Sequence, residues 1–194
     1  MTGVSMAIER VVFLGKSKRK TGNTKFMMEA LKRHVDNAVF INVPRIKKLY
    51  FWADYERVIH EKIVRAKPDL VLIYSKDIPY DVLKDVTPLC KTAVFYPDPI
   101  APKDKKLFQF GKLVDHVFIT NKTHLKDLRL GGVKNAIFCM QGCDPNEHRI
   151  TPTRRKKWAA QVTFIGKPVM QDRIDLLKLI DQRYRLKAWG GDWQ

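Results

Sequence analysis

The sequence has no apolar run approaching the roughly 18 residues needed to cross a bilayer. Its start, Met1 to Arg10, lacks the apolar core of a secretion signal, and Met6 is an alternative start. Cysteine is scarce: Cys90, Cys139 and Cys143 are the only three. An odd count without a signal argues against a disulfide framework. The "CMQGC" spacing has no second Cys or His pair at finger distance, and a structural zinc wants four ligands, so no metal is expected. The thiols read as reduced and partly buried. The expected location is cytoplasmic, with a peripheral membrane position as a further option. Acidic residues are also few. The chain has 20 Asp and Glu against 37 Lys and Arg, for a net charge of +17. Such an excess suits a polyanionic partner: nucleic acid, an acidic membrane surface or a phosphorylated substrate. The plainer alternative is a basic surface that keeps the chain soluble.

Two phosphate-binding frames are missing as well. In "GKSKRKTGN" (15–23) the glycines stand too far apart for a P-loop, Gly22 is followed by Asn23, and no GxGxxG fits. This disfavours a kinase or a dehydrogenase. The segment reads as a flexible loop ahead of a helix.

What is present is an alternation of strands and helices. Apolar, β-branched runs predict strands over 10–15, 38–43, 69–75, 92–97, 116–120 and 136–140. Helical spacing predicts helices over 24–35, 50–66 and 105–113, a short turn over 79–90, and a helix over 121–132 capped by Asn121 and stopped at Gly131 and Gly132. The strands are apolar throughout rather than alternating. That pattern implies a mostly parallel sheet covered on both faces, a doubly wound Rossmann-like α/β domain. Residues 141–160 are polar and read as a linker. The pattern then restarts with a strand (161–166), a helix (170–182) and a strand (184–189), a partial second Rossmann-like β-α-β unit. The expected division is a first domain over 1–145, a linker over 146–157 and an incomplete second domain over 158–194.

Four basic runs stand out: Lys16, Lys18, Arg19 and Lys20; Arg45, Lys47 and Lys48; "KDKK" (103–106); and "RRKK" (154–157). The first three follow strands one, two and four. In a parallel sheet that places them on the rim at the carboxyl ends of the strands, where open α/β sheets bind ligands. "LYFW" (49–52) beside "RIKK" allows aromatic stacking next to cations. The same residues fit the apolar stripe of the 50–66 helix, and a core position is the expectation.

Several segments carry a family resemblance: "FLG", "GNTKFMMEALKR", "KPDLVLIY", "VFYPDP", "VDHVFITNKTHLKDLRLGG", "QGCDPNEH", "VTFIGKPVMQDRIDLLKLI" and "LKAWGGDW". In this order, over residues 10–193, the chain resembles the CgeB-like group of GT-B glycosyltransferases, enzymes related to spore-maturation proteins. The resemblance implies sugar transfer from a nucleotide-diphosphate sugar in a cleft between two Rossmann-like domains, with no bound cofactor. The first domain would hold the acceptor and the second the donor. The later donor-binding part of such a second domain is not in the sequence, so turnover by this chain alone is not expected.

Glycosyl transfer needs a base for the acceptor hydroxyl and positive groups for the leaving diphosphate. Asp98 in "YPDP", His124 after strand five and His148 near the linker are candidate bases. For Asp98 the plainer alternative is a rigid turn with a solvated carboxylate. Gly166, Lys167, Arg173, Gly190 and Gly191 are candidates for the donor phosphates, with ordinary surface cations as the alternative for Lys167 and Arg173. Expected partners are the nucleotide sugar, a polyanionic acceptor (nucleic acid or an anionic lipid surface), and another copy of the chain through the edges of the incomplete second sheet. The alternative function is a non-catalytic module that binds nucleic acid or another polyanion. Replacing Lys16, Lys18, Arg19 and Lys20 with neutral residues should weaken binding to heparin or DNA. It should also flatten the salt slope by about 0.9 for each phosphate that is no longer neutralised; an unchanged slope would clear this loop of the role.

Overall fold

The computed structural model describes residues 7–17, 22–100, 104–149, 159–168 and 170–191. The predicted basic positions Lys18, Arg19, Lys20, Lys103 and 154–157 lie outside these residues. The chain forms two compact units, Met1–His148 and Arg149–Gln194.

Unit 1 runs β1 (Arg10–Gly15), α1 (Asn23–His34), β2 (Asn37–Asn42), α2 (Val43–Leu49), α3 (Tyr55–Ala66), β3 (Leu70–Tyr74), α4 (Tyr80–Val86), β4 (Lys91–Tyr96), α5 (Lys105–Leu113), β5 (His116–Ile119), α6 (His124–Leu130) and β6 (Ala136–Phe138). The strands form one six-stranded sheet in the order β2-β1-β3-β4-β5-β6, and every pairing is parallel. The apolar strand runs have the predicted consequence. β1 has Val11, Val12, Phe13 and Leu14 all buried, because it has a strand on each side and a covered face above and below.

The two faces are covered differently. The chain steps from β1 to β2 in one direction, and from β2 onward to β6 in the other. Right-handed crossovers then place α1 on one face and α3 to α6 on the opposite face. The main core lies on the second face. Val12, Leu14, Val71, Ile73, Val94, Val117 and Ile119 meet Ile59, Ile63, Leu83, Leu107, Phe110 and Leu128 there. On the α1 face Phe13 packs on Phe40 at 5.6 Å, and residues 139–148 run over the middle strands.

One predicted helix is split. Residues 50–66 form not a single helix but a turn followed by α3, and "RIKK" lies in α2 rather than in a loop. Caps explain the break. Asn42 accepts from the Arg45 N–H at 3.3 Å with Pro44 in the first turn, and Asp54 accepts from the Arg57 N–H at 3.0 Å. The turn between them carries Phe51 and Trp52 at 79% and 71% exposure, so "LYFW" is surface and not core. Asn121 is not a helix cap either. α6 starts after Thr123, and Asn121 instead accepts from the Thr123 N–H and Oγ1 in a local turn.

Unit 2 is β7 (Val162–Ile165), α7 (Gln171–Asp181) and β8 (Leu186–Trp189), with β7 and β8 parallel. Its burial is slight. Leu177 is the one buried apolar residue among those described, while Leu176 and Leu179 of α7 are exposed.

At the amino edge of the main sheet Asp69 ties β3 to β1. It accepts from the Glu9 N–H at 3.1 Å, the Arg10 N–H at 2.8 Å and Arg10 Nη2 at 2.9 Å. The Arg10 side chain, followed by the two backbone N–H groups, pulls its carboxyl from the ordinary 3.8 to about 2. A carboxyl lowered by folding stabilises the fold above its unfolded value, and that stability goes as pH falls through the folded value. Asp69→Asn should therefore lower the Tm at pH 7. Its deficit relative to the parent should shrink below about pH 4 and disappear only as the pH falls below about 2, as read from thermal melts across that range.

Candidate functional site: the carboxyl edges of the two sheets

Because all six strands are parallel, every chain exit lies on one rim. The strand order reverses at β1, where the chain leaves toward α1, and β3, where it leaves toward α4. Such a reversal opens a crevice at the carboxyl ends. Here Lys16 and Ser17 follow β1, and Ser75, Lys76 and Asp77 follow β3. The loop after β1 is tied to its neighbours: Thr24 Oγ1 donates to the Lys16 carbonyl at 3.1 Å, and Asn42 Nδ2 to the Ser17 carbonyl at 2.7 Å. Asn23 Nδ2 donates to the Tyr74 hydroxyl at 3.2 Å.

Ser75 has φ 60°, a left-handed conformation that a serine adopts at a cost, and its N–H donates to the Phe95 carbonyl at 2.7 Å. The turn points Lys76 and Asp77 to different partners. Lys76 Nζ reaches Asp104 at 2.6 Å, and Tyr96 Oη donates to the same carboxylate at 3.0 Å. Asp104 also caps α5 through the Leu107 N–H. Burial pushes the Asp104 carboxyl up, but the Lys76, Leu107 and Tyr96 bonds together hold it below the ordinary carboxylate range. Burial, then the Asp104 carboxylate, pushes the Tyr96 phenol up to about 12. Asp77 is different. Burial raises its carboxyl above the ordinary value, against the charges of Lys16 and Lys106 and the Lys16 N–H, which pull it down. A half-buried acid between two lysines at a sheet reversal is suited to move a proton or to orient a cationic or hydroxyl group. Sequence reasoning missed Ser75, Lys76 and Asp77. The signal was "SKD" directly after an apolar strand; the positive φ and the burial are not visible in the letters.

The predicted bases fall into two places. Asp98 is exposed in the loop after β4, and that loop is held on both sides of it. Thr120 Oγ1 and Gln141 Nε2 both donate to the Pro97 carbonyl, at 2.7 and 3.1 Å. On the other side the Ile100 N–H donates to His124 Nε2 at 3.3 Å, while His124 Nδ1 stands 3.9 Å from Asp127. Asp98 and His124 are thus brought to one anchored loop, with His124 Nε2 occupied as its acceptor. His148 is elsewhere. Its Nδ1 lies 3.0 Å from the Asp144 nitrogen, and its ring stands edge-on to Phe26 at 4.6 Å. It closes the 144–148 turn over α1, beside a groove of about 470 Å³ whose floor includes Leu72, Phe95 and Phe118. Nearby, the nearly buried Asp144 is held by Arg33 at 3.3 Å.

Of the predicted basic positions, Lys16 is on the rim and Arg45, Lys47 and Lys48 are on α2, where Lys47 Nζ lies 5.4 Å over the Tyr55 ring. Lys105 and Lys106 open α5, and Lys106 Nζ reaches the Lys76 carbonyl at 3.5 Å. Among the described residues, no cluster of His, Cys, Asp and Glu forms a metal site.

In unit 2 the five predicted phosphate residues share one edge. Gly166 and Gly190 follow the paired strands, and the Gly166 N–H donates to the Trp189 carbonyl at 2.8 Å. A Cβ on Gly190 would collide with the Gly166 carbonyl oxygen, and Gly190 has φ 139°, so both space and conformation demand glycine. Arg173 Nη1 donates to the Lys167 carbonyl at 2.8 Å, and its guanidinium stacks 5.5 Å over Phe164. Lys167 adjoins Gly191. The result is a pair of glycines packed against each other, with the Phe164 ring over Gly166 and Lys167 and Arg173 beside them, ahead of α7, whose N-cap Met170 gives no side-chain bond to the first N–H groups of the helix.

The fold and these edges define a parallel α/β protein of the doubly wound class with cations gathered at its strand ends. The chain matches no protein-family model, and no curated protein matches it.

Gly190→Ala should cost about 1–3 kcal/mol from backbone conformation alone. Gly191→Ala should cost little, since its Cβ would meet only Lys167 Cε at 3.9 Å. Hydrogen exchange checks this: the Gly166 amide should lose protection in the first variant and keep it in the second.

Proposed function

We propose that the chain takes part in glycosyl transfer of the GT-B, CgeB-like kind. Unit 2 holds the diphosphate of a nucleotide sugar, and the carboxyl rim of unit 1 holds an anionic acceptor. The observation that carries this reading is the unit 2 edge. There the ends of β7 and β8 meet at Gly166 and Gly190, Lys167 and Arg173 lie beside them, and the first N–H groups of α7 have no side-chain cap. A diphosphate leaving group needs donors and positive charge where its own charge grows, and backbone N–H groups at a strand-to-helix turn supply both at low reorganisation cost. On the acceptor side, a carboxylate must take the proton of the attacking hydroxyl as the new glycosidic bond forms and the sugar–phosphate bond breaks. Asp98, on its anchored loop, is the first candidate. Asp77 is the second, because burial already favours its protonated form.

A second reading, polyanion binding without turnover, is favoured by the net charge of +17. Calorimetry separates the two. The full chain should bind a nucleoside diphosphate, and Lys167→Ala with Arg173→Ala should weaken that binding roughly 10- to 100-fold, as expected for the loss of charge-assisted bonds of about 1.5–3 kcal/mol. Heparin binding with no nucleotide binding would favour the second reading.

A further inference from the structure

The turn between α2 and α3 puts the most exposed rings of the described residues together. Phe51 is 79% exposed and Trp52 71%, and they follow Leu49 and Tyr50, at 51% and 36%. Four consecutive large apolar residues at the surface need a reason, since a face turned only to water gains nothing from them.

Cations surround this knob. Arg45, Lys47 and Lys48 are exposed on α2, directly before it. Beside it an open recess of about 900 Å³ lies between the edge strand β2, α2 and α3. Among the described residues, Arg45, Lys62 and Arg65 line it together with Leu49 and Tyr50, and no acidic side chain does. Asp54 and Glu56 are the nearest carboxylates along the chain. Asp54 is used as the α3 cap, and Glu56 accepts from the Tyr55 hydroxyl at 3.0 Å.

We infer that this face docks on an anionic bilayer surface. The Phe51–Trp52 tip enters the boundary between headgroups and acyl chains, and a lipid phosphate or carboxylate headgroup sits in the recess. Three features select a membrane over a single-stranded nucleic acid. The rings form a knot and not a platform: Phe51 and Trp52 stand at 85° with centroids 5.0 Å apart, and Tyr50 is tilted 39° from Trp52. Stacked bases need accessible parallel faces in series. Leu49 and the exposed edge residue Val39 extend the apolar surface with aliphatic groups that have no face to offer a base. The order of the residues, a cationic helix leading into Leu, Tyr, Phe and Trp, matches what interfacial segments use: rings at the headgroup level and Lys or Arg toward anionic lipid. The docking surface stands apart from the sugar-transfer reading. Its test uses no nucleotide sugar, so either can fail alone.

The test is co-sedimentation of the full chain with vesicles of phosphatidylcholine, with and without phosphatidylserine, at near-physiological salt. The chain should partition onto the phosphatidylserine vesicles. Phe51→Ser with Trp52→Ser should reduce the partition coefficient about tenfold or more, and so should Arg45→Gln, Lys47→Gln and Lys48→Gln together. Phe51→Leu with Trp52→Leu keeps apolar bulk and removes the rings; it should keep most of the membrane binding. Circular dichroism and the melting temperature establish that each variant is folded; the exposed positions make this the expected result. Equal partition of the parent chain and the Ser variant would overturn the proposal. So would binding that both the Ser and Leu variants lose on a single-stranded oligonucleotide but not on vesicles, which would assign the rings to base stacking.

Discussion

Parallel pairing is the constraint from which the rest of unit 1 follows. A strand cannot reach a parallel neighbour through a tight hairpin; the chain must cross a face of the sheet and re-enter from the same end. Every strand exit therefore lands on one rim. Lys16, Ser75 to Asp77, Pro97 to Ile100 and Thr120 are scattered along the chain, yet all lie on that rim. The opposite edge carries the ties that hold strands together: Asp69 between β1 and β3, and Asp115, which accepts from the Thr92 N–H and Oγ1, between β4 and β5. The Asp69 and Asp115 ties and the rim residues thus lie at different ends of the same sheet.

The direction of the crossovers has a second effect. Four successive steps the same way put α3 to α6 on one face, and α1 is left on the other. The α1 face is closed over the middle strands by residues 139–148 and not by a helix, and a groove remains beside α1. A loop lying over a sheet must satisfy its own polar groups. Arg33 and the Asn146 N–H do this for Asp144, and Asp144 in turn fixes His148. The Lys76–Asp104–Tyr96 group on the rim obeys the same rule. No buried side-chain nitrogen or oxygen among the described residues lacks a partner. Buried charge is tolerated here because each group is paired, and breaking one partner would leave the other stranded.

Asp77 and the aromatic turn hold local conflicts of opposite kinds. Asp77 is a carboxyl that burial disfavours in its charged form, next to lysines that favour it. Phe51 and Trp52 are apolar surface left in water. Functional surfaces are where such local conflicts are expected to persist, and these two mark different places: one at the sheet reversal, the other on the far side of α2.

The alternation of strands and helices, the parallel sheet and the restart of the pattern after residue 160 were legible because apolar runs without polar alternation are a local signature of strands buried on both faces. The glycines of unit 2 were singled out for approach to a donor phosphate; what the fold shows is Gly190 packed on the Gly166 carbonyl, a contact between two strand ends that the letters do not give. Apolar spacing could not say whether Phe51 and Trp52 face a core. The Asn42 and Asp54 caps break the helix, and only the packed neighbours decide which residues end in water. The same limit applies to His124 and His148, which sequence alone offered as equal bases. Tertiary packing gave one to the Ile100 amide and the other to the Asp144 turn. Strand order was likewise out of reach, and with it the β1–β3 crevice and the placement of "SKD" in it. The residues by themselves determined which segments form strands and which strand ends carry cations, since those depend on near neighbours in the chain. Only the tertiary structure decided what each rim residue faces, because burial and charge at Asp77 come from groups as distant in sequence as Lys16 and Lys106.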